Sequence, residues 1–292
     1  MHVLLTNDDG IEATGIRVLA DALAEIADVT VVAPADDQSA VGRTLSTTVE
    51  VEQRDSGSDP WSTYAVRGTP ADCTVAGLCS LCADTDLVVA GCNRGANLSA
   101  YTLGRSGTVS AAVEATFFDV PAIAVSLYIP GDRDFEAIAA REDSYAEAAR
   151  ATTYLTEHAT GNGVFDHADY LNVNAPLPTE TGDSDGNGDG DGGAGSGSER
   201  DGRDERSEWA DPAGMVVTHP SRVCDIDAVR EEGAITIHDR IWARMADGDV
   251  PGDAGSDRTA VMNGNVSVSP LTAPHTTERH EALDALAASY SA

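Results

Sequence analysis

The chain has 292 residues, enough for one large domain or two small ones with a sizeable core. Its formal charge is −31, from 49 acidic residues against 18 cationic ones that are all Arg, which excludes a basic patch for a nucleic-acid polymer. No apolar run approaches the roughly 20 residues of a membrane span, and no basic region with a cleavage site marks a signal peptide.

Residues 180–211 hold 11 Asp and Glu with three Arg, a local charge of −8, so −23 is spread over the rest. Self-repulsion on that scale is relieved in concentrated salt, where the Debye length falls to about 3 Å at 1 M. The composition is read as adaptation to a very salty cytoplasm. Unfolding midpoints are therefore expected to rise between low and multimolar KCl, and a midpoint indifferent to KCl would remove that reading. Five Cys (73, 79, 82, 92 and 224) suit free thiols in a reducing, cytoplasmic compartment. Cys79 and Cys82 have CxxC spacing but no second pair or nearby His. Beside Leu78 and Leu81, both are expected in a helix core.

Residues 2–6 read as a buried strand that stops at Asn7-Asp8-Asp9-Gly10. Ile16, Leu19, Leu23 and Ile26 then recur at helical spacing, and Val29-Thr30-Val31-Val32-Ala33 is a second strand ended by Pro34. That β-α-β order argues for a right-handed parallel crossover. Residues 35–43 form a long polar loop, and residues 47–53 and 62–66 read as a hairpin projecting from the main sheet. Thr69 and Pro70 open a helix as cap and first residue. Residues 86–91 are the clearest central strand. A helix is expected from Ser106 to Phe118, a strand over 122–126, a helix over 140–158 and a strand over 170–174. Residues 179–208 read as a disordered acidic insert. Its Asp183-x-Asp185-x-Asn187-Gly188 mimics a calcium loop but has Ala194 at the twelfth position, where a Glu is required. Structure resumes over 215–218, 235–238 and 265–269, with a last helix over 278–289. The expectation is one α/β domain over residues 1–292.

Two adjacent carboxylates at the carboxyl end of a first strand lie where open α/β sheets place ligands. Unpaired, they would repel each other until one protonated, and a divalent cation removes the conflict. The ordinary alternative is an Asx-turn that caps the next helix. Three segments share that edge: residues 7–10, 36–43 and 92–108. Their carboxylates, hydroxyls and amides suit a hard cation such as Mg²⁺, Mn²⁺ or Ca²⁺, and the His or Cys set of a zinc site is missing. Ser106-Gly107-Thr108 opens a helix, where free N–H groups attract an anion. A dication beside an oxyanion cradle suits phosphoryl chemistry. Ser106 and Thr108 as caps, Asn93 and Asn97 as turn residues and Ser39 as solvated loop are the structural alternatives.

Several strings in this order resemble one family. They are Leu4-Leu5-Thr6-Asn7-Asp8-Asp9-Gly10-Ile11, Val32-Ala33-Pro34, Asp37-Gln38-Ser39-Ala40-Val41-Gly42-Arg43 and Gly68-Thr69-Pro70-Ala71-Asp72-Cys73. Gly91-Cys92-Asn93-Arg94-Gly95-Ala96-Asn97-Leu98, Ser106-Gly107-Thr108-Val109, Leu171-Asn172-Val173-Asn174 and Asn265-Val266-Ser267-Val268-Ser269-Pro270-Leu271 continue it. The chain resembles the SurE family of metal-dependent nucleoside monophosphate phosphatases. The resemblance implies a Rossmann-like three-layer sandwich with a mostly parallel sheet, projecting hairpins and a C-terminal oligomerisation extension that makes homodimers or homotetramers. It places the metal ligands at Asp8, Asp9, Ser39 and Asn93, with Asp8 and Asp9 also catalytic. The phosphate contacts fall on Asn97, Ser106, Gly107 and Thr108. Mg²⁺ or Mn²⁺ is the expected metal and a nucleoside monophosphate the expected substrate, cleaved as a 5′-nucleotide, with 3′-nucleotides and polyphosphate as further candidates. The chain departs from the family at residues 99–105, and Arg105 stands before Ser106 where an aromatic is usual.

Two rivals fail on residues. A receiver-type module needs a late Lys, and the chain has none; a haloacid-dehalogenase-type phosphatase needs Asp-x-Asp, which Asp8-Asp9-Gly10 does not offer. A non-catalytic nucleotide- or phosphate-binding protein on the same fold remains the alternative.

Overall fold

The computed structural model describes residues 1–55, 57–179, 212–249 and 252–273. The expected acidic insert beyond Thr179, its calcium-loop-like run from Asp183 and the last helix over 278–289 lie outside them.

In chain order the elements are β1 (His2–Thr6), α1 (Thr14–Ala24), β2 (Asp28–Pro34), β3 (Glu50–Arg54), β4 (Ser62–Arg67), α2 (Pro70–Ala76) and β5 (Leu87–Arg94). Next come α3 (Ala100–Leu103), α4 (Gly107–Thr116), β6 (Ala122–Leu127), α5 (Phe135–Ala139), α6 (Ala146–His158) and β7 (Tyr170–Ala175). The last described part holds β8 (Met215–Val217), β9 (Ile226–Glu231), β10 (Ala234–Asp239), α7 (Ile241–Ala246), α8 (Asp257–Met262) and β11 (Val266–Leu271).

The main sheet runs β3-β4-β2-β1-β5-β6-β7-β11-β8. From β4 through β7 every pairing is parallel, while β3 on β4 and β11 on β7 are antiparallel. The chain builds outward from β1 to β2 and β4, then returns to β5 and builds the other way. The strand order therefore reverses between β1 and β5, the place where such sheets bind ligands.

Alternation within each strand fills both layers. Val3 and Leu5 of β1 join Ile16, Leu19 and Leu23 of α1 in one core, whereas Leu4 joins Val109, Ala112 and Ala115 of α4 in the other. Helices α1 and α6 cover the first face, and α2 and α4 cover the second. Burial on both faces explains why β1, β2 and β5 read as unbroken apolar runs. Thr69 caps α2 in a full capping box with Asp72, and Pro70 is its first residue, as the sequence indicates.

Several details differ from the sequence expectation. The hairpin of β3 and β4 does not stand off the main sheet, because β4 pairs in parallel with β2 and so extends the sheet's edge. The hairpin that does form a separate two-stranded sheet is β9–β10. Residues 142–145 make a 3₁₀ turn before α6 begins at Ala146. Cys82 is buried but Cys79 is exposed, because the chain there turns as a short π-helix, Gly77–Leu81, that shows one thiol to solvent. Strand β11 runs through Pro270, which is tolerated because β8 pairs with it only as far as Val268. Among the described residues all five Cys are free, and no helix is long and apolar enough to cross a membrane.

Candidate metal and phosphate site

The turn after β1 is shaped by its first residue. Asn7 donates from Nδ2 to the Gly10 carbonyl at 2.8 Å, and Gly10 has φ +96°, which glycine adopts without strain. Asp8 and Asp9 take no part in capping: α1 begins at Thr14 behind Ala13, with no side-chain cap. The ordinary alternative thus accounts for Asn7 and leaves both carboxylates without a local structural task.

Asp8 turns to the start of α4. Thr108 donates from Oγ1 to Asp8 Oδ1 at 2.6 Å. A Cβ on Gly107 would lie 2.7 Å from Asp8 Cβ and 2.8 Å from Oδ2, so glycine alone permits this approach. Burial pushes the Asp8 carboxyl upward, opposed by the hydroxyl and N–H of Thr108. Asp9 turns to β5 instead: Arg94 donates to it from its backbone N–H at 2.8 Å and from Nε at 3.1 Å. Burial, then the charge of Asp8, push Asp9 up to about 7 against the pull of Arg94. Arg94 also reaches Asp37, whose carboxylate accepts from the Ser39 N–H at 2.8 Å. Against its partial burial, Ser39 and Arg94 hold Asp37 below the usual carboxylate range.

These contacts bring the three expected segments together. The Gln38 N–H donates to the Asp8 carbonyl at 2.7 Å, which brings the loop bearing Ser39 to β1. Ser39 itself is exposed. Asn93 directs Nδ2 to the Gly95 carbonyl, leaving Oδ1 for a cation. Among the described residues no three His, Cys, Asp or Glu side chains form a metal cage. A divalent cation here would therefore rest on two carboxylates and neutral oxygens, a hard-oxygen set that suits Mg²⁺ or Mn²⁺. The donor chemistry fits: two neighbouring carboxylates are buried, and Asp8 has no cationic partner among the described residues.

The expected phosphate contacts are placed unevenly. Ser106 is the N-cap of α4, its Oγ accepting from the Val109 N–H at 3.0 Å, so its hydroxyl has the structural role. The hydroxyl of Thr108 is likewise committed to Asp8. What α4 offers an anion is its N-terminal backbone, with Gly107 at the point closest to Asp8. Asn97 is buried in a polar network. Its N–H donates to Asn174 Oδ1 at 2.8 Å, its Nδ2 donates to Ser126 Oγ at 2.9 Å, and its carbonyl accepts from Asn172 Nδ2 at 2.9 Å.

Sequence reasoning did not single out Arg94, Ser126, Asn172 or Asn174. The last pair carried a signal: Asn172-Val173-Asn174 puts two amides on one face of a strand buried on both sides. Arg94 gave none, because a cation is the opposite of what a metal site suggests.

A consequence for pH follows from Asp9. A carboxyl raised in the fold keeps its proton where the unfolded chain has lost it. Its stabilising contribution is full below the unfolded value of about 4 and is lost as pH rises through about 7. The metal-stripped protein should therefore lose stability between about pH 4 and 7. Cation affinity should rise over the same interval with release of about one proton. Calorimetry in two buffers of different ionisation enthalpy reads the proton; pH-independent cation uptake would contradict it.

Comparison with known proteins identifies the family. The family model described as Survival protein SurE matches residues 3–187. The chain is 57% identical to the 5′-nucleotidase SurE of Haloarcula marismortui over 290 residues, covering 99% of this chain and 94% of that protein. It is 53% identical to the 5′-nucleotidase SurE of Haloquadratum walsbyi, covering 99% of this chain and 97% of that one. Among solved structures, the SurE protein from Aquifex aeolicus superposes with a TM-score of 0.68 at 26% identity, covering 98% of this chain and all of the other.

Proposed function

The chain belongs to the survival protein SurE family, and on that premise we propose that it is a metal-dependent phosphatase that hydrolyses nucleoside monophosphates to nucleoside and phosphate. It is a 5′-nucleotidase, as its relatives at 50–57% identity are named. The observation that carries the reading is a pair of adjacent buried carboxylates where the strand order reverses, with Asp8 against the start of α4.

Asp8, Asp9, Ser39 and Asn93 hold the cation, Mg²⁺ or Mn²⁺. A bound dication there supplies charge neutralisation for the phosphate and polarisation of the phosphorus–oxygen bond. Thr108 fixes the orientation of Asp8, and Arg94 that of Asp9. The Asn97 amide and the α4 N-terminal N–H groups hold phosphate oxygens. Asp8 or Asp9 would take the proton of the water that attacks phosphorus. The bond from phosphorus to the nucleoside oxygen breaks, and that proton passes to the departing oxygen to give the nucleoside hydroxyl. The acidic, lysine-free composition suits concentrated salt, and its high-identity relatives come from halophilic archaea. Exposed Ile235 and Ile237 on the two-stranded β9–β10 sheet support assembly into homodimers or homotetramers, since such a sheet is marginal alone.

The test is phosphate release in molar KCl from 5′- and 3′-nucleotides of each base and from short polyphosphate, with Mg²⁺ or Mn²⁺ added to stripped protein. Hydrolysis of 5′-nucleotides only when the cation is present is expected. Nucleotide binding without turnover in either metal would select the non-catalytic alternative.

A further inference from the structure

The loop from β5 to α4 follows Asn93 at the end of β5 and carries Asn97 and Ser106, and one of its peptide units is held by a distant part of the chain. Ser99, two residues beyond Asn97, has φ +79° and ψ 150°, a backbone region almost restricted to glycine. Its N–H donates to Asp257 Oδ2 at 2.6 Å, across 158 positions of sequence. Asp257 is the first residue of α8, and both it and Ser99 are fully buried. The other oxygen of Asp257 accepts from the Ser221 N–H at 3.0 Å and from the Arg258 N–H at 2.8 Å. The next peptide of the loop docks on the same support, the Ala100 N–H donating to the Ser221 carbonyl at 2.9 Å.

A buried carboxylate is a costly anchor for a short helix, and apolar side chains would serve that purpose better. Ser256 already caps α8, and Val261 packs that helix onto a small core with Leu98 and Met245. What Asp257 adds is a hydrogen bond to a peptide that an L-residue does not hold unaided in this conformation. Helix α4, which begins at Gly107 directly after its cap Ser106, packs against β5 and β6, so the turn at Ser99 is where the loop could relax.

We infer that Asp257 is a positioning residue of the phosphate site: by fixing the Ser99 peptide it sets how Asn97 and the start of α4 face the substrate phosphate. This rests on the phosphate reading above. It makes affinity for the phosphate group depend on α8, far along the chain.

The experiment measures inhibition by inorganic phosphate, together with the unfolding midpoint, for wild type, Asp257→Asn and Asp257→Asn with Ser99→Gly, all in molar KCl. Asp257→Asn should weaken phosphate about tenfold or more, as displacement of a binding group by a fraction of an ångström does. Adding Ser99→Gly should restore most of that affinity, because glycine holds φ +79° without help, while the lowered midpoint stays low. Unchanged phosphate affinity in Asp257→Asn, or a double variant that recovers none of it, would overturn the inference. Should Asp257→Asn fail to fold, Ser99→Pro removes the same N–H and forbids the positive φ while leaving Asp257 on Ser221. It should lose phosphate affinity equally, and wild-type affinity would overturn the inference. Wild-type protein that binds no phosphate would overturn the phosphate reading and this inference with it.

Discussion

Asp9→Asn is expected to lower kcat about a thousandfold, on the order of 4 kcal/mol of transition-state stabilisation, and added Mn²⁺ should not restore it. The amide has nearly the shape of the carboxylate and keeps an oxygen for the Arg94 N–H, now 2.8 Å from Asp9 Oδ2. It removes one of the two anionic ligands. The same change removes a buried group that its surroundings push up to about 7. The metal-stripped variant should consequently unfold at least as late as wild type at pH 8. Loss of turnover with stability retained separates a ligand from a scaffold residue. Substantial turnover in excess Mn²⁺ would count against Asp9 as a ligand.

Gly107→Ala should cost about a hundredfold in kcat/KM, the scale of a misplacement near 1 Å. Within a helix, Ala is favoured over Gly by about 1 kcal/mol, so propensity alone predicts a more stable protein. The collision decides otherwise at the site: the new methyl would sit 2.7 Å from Asp8 Cβ and 2.8 Å from its Oδ2. Either α4 or the turn after β1 must move; α4 is packed against β5 and β6, and the turn is tied down by the Gln38 N–H on the Asp8 carbonyl. Circular dichroism melts beside kinetics distinguish the two effects. Wild-type kcat/KM in this variant would show that Asp8 and the start of α4 are not held in register for catalysis.

Much of the central architecture was legible because burial on both faces leaves strands as unbroken apolar runs. Val3-Leu4-Leu5 and Val88-Val89-Ala90 divide their side chains between two cores, and the α1 residues Ile16, Leu19 and Leu23 recur at helical spacing. Elements of the last third were harder to read. Helices α7 and α8 have six residues each, too few for a periodic stripe, and β9 is mostly exposed, so no buried face imposes alternation on it. The edge position of the β3–β4 hairpin depends on β4 pairing with β2, a long-range choice that turn residues do not encode.

At the site, the residue types marked the place and the contacts assigned the tasks. The sequence places Thr108 and Ser106 at a helix start, but only the packing of α4 on β1 commits the Thr108 hydroxyl to Asp8 and leaves Ser106 as the cap. Arg94 lies within a string that already contains Asn93 and Asn97. Its bridge from Asp9 to Asp37 appears only when β5 lies beside β1. Asp257 stands further still from any local signal, since its partner is 158 positions away.

Asp8 and Asp9 are proposed to hold a divalent cation where the strand order reverses. Manganese titration followed by electron paramagnetic resonance, in molar KCl at pH 8, tests it most directly. About one Mn²⁺ per chain should bind wild type and be displaced by Mg²⁺, as expected for a hard-oxygen site. Folded Asp8→Asn and Asp9→Asn should each lose that site. Undiminished Mn²⁺ uptake by the two variants would show that neither carboxylate is a ligand of the cation.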